Sequence, residues 1–167
     1  MRPRSVLIVD DNPLIRRILC EVFTREGDFE ICGDARDGQD AIEKALLLKP
    51  ALIVMDLSMP VLNGLEATYK LKKLMPHVPV IIFSIHDAAS IEREAAAVGA
   101  AGVVSKSDPV SVLIKQSRQL AGGMAACRDV FASVSVTLRE PGSGPASAGP
   151  GNFPQVSKVI AFGLFRD

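Results

Sequence analysis

The alternation of two local patterns constrains the fold of this chain more than any other feature of its sequence. Over residues 1–121, short apolar runs that end in a polar residue alternate with longer stretches whose apolar residues recur at helical spacing. The apolar runs are rich in β-branched residues, which is typical of strands buried on both faces of a parallel sheet. The predicted strands cover residues 6–9, 29–33, 51–55, 80–83 and 103–104.

The stretches between these runs predict five helices. Their apolar residues recur three or four positions apart, and glycine or proline stands near several of their ends. The predicted helices cover residues 13–23, 40–48, 65–75 and 91–98, and a fifth begins at residue 110. Five repeats of strand then helix place the chain in the α/β class, with a parallel sheet and helices on both faces. In this architecture, ligands bind at the carboxyl ends of the strands.

The overall charge and the length of the apolar runs exclude several classes of protein. The chain has 19 basic and 19 acidic residues, so no overall basic bias points to nucleic acid. No apolar run approaches the roughly 18 residues that a membrane helix needs. The three cysteines form no C-x-x-C pair, which favours buried thiols in a reducing compartment. These features predict a cytoplasmic protein without a membrane segment.

Polar side chains follow four of the predicted strands. Asp10 and Asp11 follow the first strand, Asp56 the third, Ser84 the fourth and Lys106 the fifth. Because the carboxyl ends of parallel strands meet at one edge of the sheet, we expect these five side chains to line one crevice. Taken alone, each has an ordinary explanation, such as a helix cap, a turn residue or a surface lysine. Their joint placement favours a common site.

The chemistry of this set favours a metal ion and phosphoryl transfer. Three neighbouring carboxylates repel one another and need a cation, and their hard oxygen ligands suit Mg²⁺. A carboxylate is a competent nucleophile toward phosphorus, and Asp56 is the candidate. The ammonium of Lys106 and the hydroxyl of Ser84 would each bind a phosphoryl oxygen.

Four segments resemble the response-regulator receiver domain of bacterial two-component systems. They are VLIVDD at 6–11, LIVMDLSMPVLNG at 52–64, IIFS at 81–84 and GVVSKSD at 102–108, and the spacing between them also fits. The resemblance covers about residues 4–121. It implies a flavodoxin-like, doubly wound sheet of five parallel strands in the order 2-1-3-4-5, with helices on both faces.

The resemblance also implies roles for the acidic residues. Asp56 would accept a phosphoryl group from the phosphohistidine of a sensor histidine kinase. Asp11 and Asp56 would bind Mg²⁺ directly, together with the backbone carbonyl of Ser58, and Asp10 would assist, partly through water. The chain would then be a signalling phosphoacceptor rather than an enzyme, with at most slow hydrolysis of its own acyl phosphate.

Ser84 and Lys106 would bind the phosphoryl group and report it to the rest of the domain. The family often has Tyr or Phe three residues before the lysine, and here that position is Val103. An aromatic rotamer switch is therefore unavailable there. The response would pass through the fourth helix, fifth strand and fifth helix, over about residues 88–120, to a partner or a second copy of the chain.

The sequence after residue 121 departs from the alternating pattern. We predict a receiver domain over 1–121, a helical extension or linker over 122–140, and a Gly/Pro-rich, disordered tail over 141–167. The Lys-Ser-Asp sequence at 106–108 resembles the subfamily whose members carry a LuxR-like helix-turn-helix effector. No such effector follows here, which indicates either a truncation or frameshift, or a genuine single-domain protein.

Besides a degenerate receiver that binds partners without phosphate, which Val103 favours and the complete acidic set opposes, two other functions remain open at this point. The first is a DNA-binding transcriptional regulator, with DNA as a partner only if the full-length gene product has an effector domain. The second is a phosphatase or mutase that forms an aspartyl phosphate. Such enzymes usually have a second acid two residues after the nucleophile. Here Ser58 stands two residues after Asp56, and Asn12 stands two residues after Asp10.

Overall fold

The computed structural model describes the backbone of residues 2–132 and the side chains of residues 2–121. In this part of the chain, strands and helices alternate from the first element to the last. The elements are β1 Arg4–Val9, α1 Pro13–Arg25, β2 Phe29–Ala35, α2 Gly38–Leu48, β3 Leu52–Met55, α3 Gly64–Leu74, β4 Val80–Ser84, α4 Ala88–Ala97, β5 Gly102–Ser105 and α5 Val110–Ala132.

The five strands form one sheet in the order β2-β1-β3-β4-β5. Every neighbouring pair of strands is parallel. The predicted α/β class and strand order are therefore confirmed. The chain winds outward from β1 in both directions, so the switch in strand order lies between β1 and β3.

The core has two layers, one on each face of the sheet. Successive residues of a strand point to opposite faces. In β1, Val6 and Ile8 join one cluster while Leu7 and Val9 join the other. Buried residues of α1 and α5 complete the first cluster, and those of α2, α3 and α4 complete the second. This arrangement confirms helices on both faces and explains why the interior strand β3 is apolar along its whole length.

Polar caps set the starts of two helices, α2 and α3, which the apolar pattern alone places one or two residues too late. The second helix begins at Gly38 rather than residue 40, because the carboxylate of Asp37 accepts hydrogen bonds from the backbone N–H groups of Gln39 and Asp40. The third helix begins at Gly64, after the side chain of Asn63 accepts from the N–H of Glu66. An apolar periodicity detects the buried stripe of a helix, whereas its first turn is set by the capping side chain.

The fifth helix continues through the predicted end of the domain. Helix α5 runs to Ala132, so its last turns lie in the predicted extension over 122–140. Residues 133–167, including the predicted tail, lie outside the described residues, and the domain boundaries stay predictions. Among the helices described here, none combines the length and the apolar character needed to cross a membrane.

We expect Leu7→Ala to lower the free energy of unfolding by about 2.7–5 kcal/mol, because Leu7 is fully buried in the interior strand β1 and its truncation leaves a cavity. The matched control is Leu47→Ala, the same chemical change at a leucine that is 79% exposed. The control should change stability by less than about 0.5 kcal/mol. Urea unfolding of both variants measures the difference, and equal losses would contradict this description of the core.

Candidate functional site

Three carboxylates converge where β1 and β3 end. Backbone hydrogen bonds place them: the N–H of Asp10 donates to the carbonyl of Ala35, and the N–H of Asp56 donates to the carbonyl of Val9. One carboxylate oxygen from each of Asp10, Asp11 and Asp56 lies within 4.8 Å of the others. Asp10 and Asp56 are buried, whereas Asp11 is exposed. The cluster thus has a buried floor and one side open to solvent.

Lys106 connects the two buried carboxylates. Its Nζ lies 2.6 Å from Asp10 Oδ2 and 2.8 Å from Asp56 Oδ1. Lys106 follows β5 at the far side of the sheet, and its side chain reaches back across the edge to β1 and β3. The arrangement gives the buried pair of carboxylates one neutralising ammonium group.

The charges and burial of this cluster perturb its titration. Burial raises the pKa of Asp56 above its ordinary value, and the charge of Asp10 adds to this, against the opposing effect of Lys106. Burial by itself would lower the pKa of Lys106. Hydrogen bonds to Asp10 and Asp56, together with their charges, outweigh it and raise that pKa. The ammonium form of Lys106 is therefore stabilised.

Backbone N–H groups orient the remaining oxygens of the buried pair. The N–H of Asn12 donates to Asp10 Oδ1 at 2.9 Å, and the N–H of Ser58 donates to Asp56 Oδ2 at 3.1 Å. Ser58 and Asp11 line the same open groove beside the carboxylates, with a volume of about 630 Å³. The predicted ligand role of the Ser58 carbonyl stays a prediction.

Ser84 lies at the same edge of the sheet but is not hydrogen-bonded to the carboxylates. It is the last residue of β4 and is fully buried. Its Oγ accepts a hydrogen bond from the N–H of His86 at 3.2 Å, and its carbonyl accepts from the N–H of Lys106 at 2.6 Å. The two predicted phosphate-binding residues are thus joined to each other through the main chain.

Val103 occupies the second position of β5, opposite Ile82 of β4. It is half-buried and packs against the cluster that includes residues of α4. The position where the family often has an aromatic switch residue is therefore occupied by a short aliphatic side chain, which packs against the cluster that includes residues of α4.

A close main-chain contact joins the loop after Asp56 to the start of α3. A Cβ at Gly64 would overlap the carbonyl oxygen of Asp56, so the position requires glycine. The N–H of Gly64 also donates to the carbonyl of Leu57 at 2.9 Å. Between these points, Val61 adopts a φ of 66°, which is unusual for a β-branched residue. Sequence reasoning noted Gly64 only through the resemblance.

Sequence reasoning missed Arg16, whose guanidinium donates to the carbonyls of both Asp10 and Asp11. The available signal was a basic residue shortly after an acidic pair at the start of a helix. That pattern is common on solvated helices. It identifies the contact only once the direction of α1 is known, because that direction brings the Arg16 side chain back to the two carbonyls.

The residues present fit a magnesium ion. Carboxylate oxygens are the ligands that Mg²⁺ prefers, and it usually keeps several waters. The cluster supplies three carboxylates, and the exposed position of Asp11 leaves room for water on the open side. Asp10, Asp11 and Asp56 are therefore the residues that could hold this ion.

Comparison with known proteins agrees with the fold and with the clustered acids. Residues 6–117 match the family model of the response regulator receiver domain. The chain belongs to this family. Proteins of this family are in general signalling phosphoacceptors of two-component systems, with Mg²⁺ bound at an acidic pocket. The resemblance predicted from the sequence is confirmed.

Solved structures of individual receiver domains are similar to this chain in both sequence and fold. The response regulator domain of Thermotoga maritima CheB is 33% identical, with a TM-score of 0.60 over 80% of this chain and 99% of that one. The receiver domain of NarL from Mycobacterium tuberculosis is 26% identical, with a TM-score of 0.70 over 74% of this chain and 99% of that one.

The longer relatives carry additional regions. The transcriptional regulatory protein DegU of Brevibacillus brevis is 35% identical over 121 residues, which are 72% of this chain and 51% of DegU. Several other relatives are named protein-glutamate methylesterase/protein-glutamine glutaminase, and the matches cover 24% to 33% of their length. The chain thus spans about half or less of these relatives.

We expect Gly64→Ala to lower the free energy of unfolding by about 1–3 kcal/mol, because the new methyl group would overlap backbone that cannot move aside freely. The control is Gly33→Ala, where the added methyl would overlap only the end of the flexible Leu48 side chain and would meet Leu7 Cδ1 at an ordinary contact distance of 3.7 Å. The control should cost clearly less. Chemical unfolding of both variants decides, and a Gly64→Ala variant as stable as the native chain would contradict the close contact.

We expect Asp56→Asn to unfold at a higher temperature than the native chain at pH 7 in the presence of a chelator. An acid whose pKa is higher in the folded than in the unfolded state costs stability above its unfolded-state pKa, and the cost is complete once the pH exceeds the folded-state pKa. Burial raises the pKa of Asp56, so removing its charge removes that cost. The gain should shrink as the pH falls through the raised pKa toward the ordinary value of 3.8.

The control for this effect is Asp28→Asn, which should act in the opposite direction. A hydrogen bond from Arg118 holds the pKa of Asp28 below its ordinary value. Its carboxylate therefore stabilises the fold at neutral pH, and that contribution is lost in acid. Melting curves of both variants between about pH 3 and pH 7 test the pair, and a destabilised Asp56→Asn variant at pH 7 would refute the assignment.

Proposed function

We propose that this chain is a phosphorylation-dependent switch of a two-component system, in which Asp56 accepts the phosphoryl group. The observation that carries the proposal is the buried Asp56 carboxylate, held between Lys106 and the carboxylates of Asp10 and Asp11. The donor is a sensor histidine kinase, which is the partner expected for a receiver domain. Mg²⁺ is the required cofactor.

The transfer needs positioning and charge neutralisation more than covalent chemistry. A carboxylate oxygen of Asp56 forms a bond to phosphorus while the bond from phosphorus to the kinase histidine nitrogen breaks and that nitrogen keeps the electron pair. When bound by Asp10, Asp11, Asp56 and the carbonyl of Ser58, Mg²⁺ supplies positive charge to the carboxylates and the phosphoryl oxygens. The N–H of Ser58 donates to Asp56 Oδ2 and so orients the carboxylate, whose Oδ1 contacts Lys106.

Lys106 and Ser84 provide the readout of phosphorylation. In the unphosphorylated protein Lys106 is bonded to Asp10 and Asp56. A phosphoryl group on Asp56 presents new anionic oxygens, so the ammonium of Lys106 and the hydroxyl of Ser84 turn toward it. Since the N–H of Lys106 donates to the carbonyl of Ser84, the ends of β4 and β5 respond together.

The response reaches a surface made by α4, β5 and α5. Lys106 stands between β5 and α5, and Ser84 stands shortly before α4. Val103 offers no ring to rotate, so the shift of Ser84 and Lys106 carries the signal. Phosphorylation changes the populations of two conformations of this surface, and this alters its binding to a partner or to a second copy of the chain.

Action on DNA would need a region beyond the receiver domain. DegU is named a transcriptional regulatory protein, and the match covers only 51% of it. DNA is therefore a partner only if the full-length gene product carries an effector domain. Catalysis of a phosphatase or mutase type is disfavoured because Ser58 and Asn12 stand where such enzymes usually have a second acid. Slow hydrolysis of the acyl phosphate on Asp56 would limit the lifetime of the phosphorylated state.

We expect Asp56→Asn to abolish labelling by radioactive acetyl phosphate in the presence of Mg²⁺, because an amide oxygen is a poor nucleophile toward phosphorus. The matched control is Asp28→Asn, the same change at the opposite edge of the sheet, where the carbonyl of Asp28 accepts from the N–H of Arg4. The control should label like the native chain. Undiminished labelling of Asp56→Asn would show that the acceptor is another residue.

A further inference from the structure

The guanidinium group of Arg16 contacts the main chain of both acidic residues that follow β1. Its Nη1 donates to the carbonyl of Asp10 at 2.8 Å and to the carbonyl of Asp11 at 3.2 Å. The Arg16 side chain lies in α1 and is only 18% exposed. One planar group therefore bonds two consecutive carbonyls of the turn that carries the acids.

The same group is anchored to the edge strand of the sheet. Arg16 Nε donates to Asp34 Oδ2 at 2.8 Å. Asp34 lies in β2, and its carbonyl accepts a hydrogen bond from Lys44 Nζ of α2 at 2.5 Å. The turn after β1 is thus connected through Arg16 to β2, and through Asp34 to α2.

Asp11 depends on this connection more than its neighbours do. The Asp10 carboxylate is bonded by Asn12 N–H and Lys106 Nζ, and the Asp56 carboxylate by Ser58 N–H and Lys106 Nζ. In residues 2–121, the carboxylate of Asp11 has no hydrogen bond or ion pair. Its main chain alone determines where its side chain can reach, and Arg16 holds that main chain.

We propose that Arg16 is a positioning residue for metal binding, which holds the turn at Asp10 and Asp11 so that the Asp11 carboxylate faces those of Asp10 and Asp56. The inference rests on the proposed Mg²⁺ site. Groups outside the ligand shell that orient ligands typically change metal affinity about 10- to 100-fold when they are removed. Arg16 acts on Mg²⁺ only through the position of Asp11 and Asp10.

The sign of the effect separates positioning from simple electrostatics. A positive charge near a cation site repels the cation, so loss of the Arg16 charge by itself would strengthen Mg²⁺ binding. Loss of the turn contacts would weaken binding. Arg16→Gln removes both, and weaker binding therefore means that the contacts outweigh the charge.

The test is calorimetric titration of the full chain with magnesium chloride. Arg16→Gln should bind Mg²⁺ about tenfold more weakly than the native chain. The matched control is Arg17→Gln, which removes the same charge from the neighbouring position. Arg17 is 79% exposed in its side chain and pairs only with Glu21 among the described residues, so its variant should keep near-native affinity. Affinity of Arg16→Gln equal to or tighter than native overturns the proposal.

Arg16→Lys provides a second variant if Arg16→Gln fails to fold. Lysine keeps the charge but lacks the planar fork that reaches two carbonyls and a carboxylate together. It should bind Mg²⁺ with intermediate affinity, and native affinity in Arg16→Lys overturns the proposal. Thermal unfolding in chelator and in Mg²⁺ adds a further readout. Positioning reduces the stabilisation that Mg²⁺ supplies, whereas a merely structural role lowers both melting temperatures equally.

The outcomes also separate this inference from the function it rests on. A native chain that shows no Mg²⁺ binding overturns the metal site and the role of Arg16 together. Native binding that disappears in Asp11→Asn but is unchanged in Arg16→Gln supports the metal site and overturns only the role of Arg16.

Discussion

The ammonium of Lys106 between the carboxylates of Asp10 and Asp56 is the interaction on which the arrangement of this site depends. Two unit charges about 5 Å apart repel by roughly 3 kcal/mol at an effective dielectric constant near 20. Asp10 and Asp56 are both buried, so water screens them poorly. The partly buried ammonium of Lys106 offsets this repulsion and holds the carboxylates in place. The pocket is therefore stable enough to form and still charged enough to bind a metal ion.

The topology of the sheet explains why these residues meet although they are far apart in the chain. All five strands run parallel, so their carboxyl ends share one edge. Strands β1 and β3 are neighbours, which brings Asp10 and Asp56 together, and the long side chain of Lys106 spans the distance from β5. The same topology leaves the ion pair of Asp28 and Arg118 at the opposite ends of the strands, away from the acidic cluster.

The residues of the site were predictable because each follows a buried apolar run. The predicted third strand is apolar throughout and the fifth is the pair Val103 and Val104, so Asp56 and Lys106 are conspicuous after them once a parallel sheet is assumed. The strand order came from the resemblance, since the alternating pattern specifies parallel strands but not their neighbours. The apolar pattern did not reveal the capping role of Asp37, because a cap is set by a polar side chain and the N–H groups two and three residues after it. The main-chain role of Arg16 could not be predicted, because it depends on the direction of that side chain relative to the turn before α1.

The loop between Asp56 and α3 is closed at its base. Gly64 touches the Asp56 carbonyl and donates to Leu57, and the carbonyl of Leu62 accepts from the N–H of Gly38. The tip at Val61 faces solvent, with 82% of its surface exposed. Because the base is fastened independently of the tip, the tip can diversify between related proteins while the acidic pocket stays unchanged. Such a tip can distinguish one regulator from another without altering the chemistry that they share.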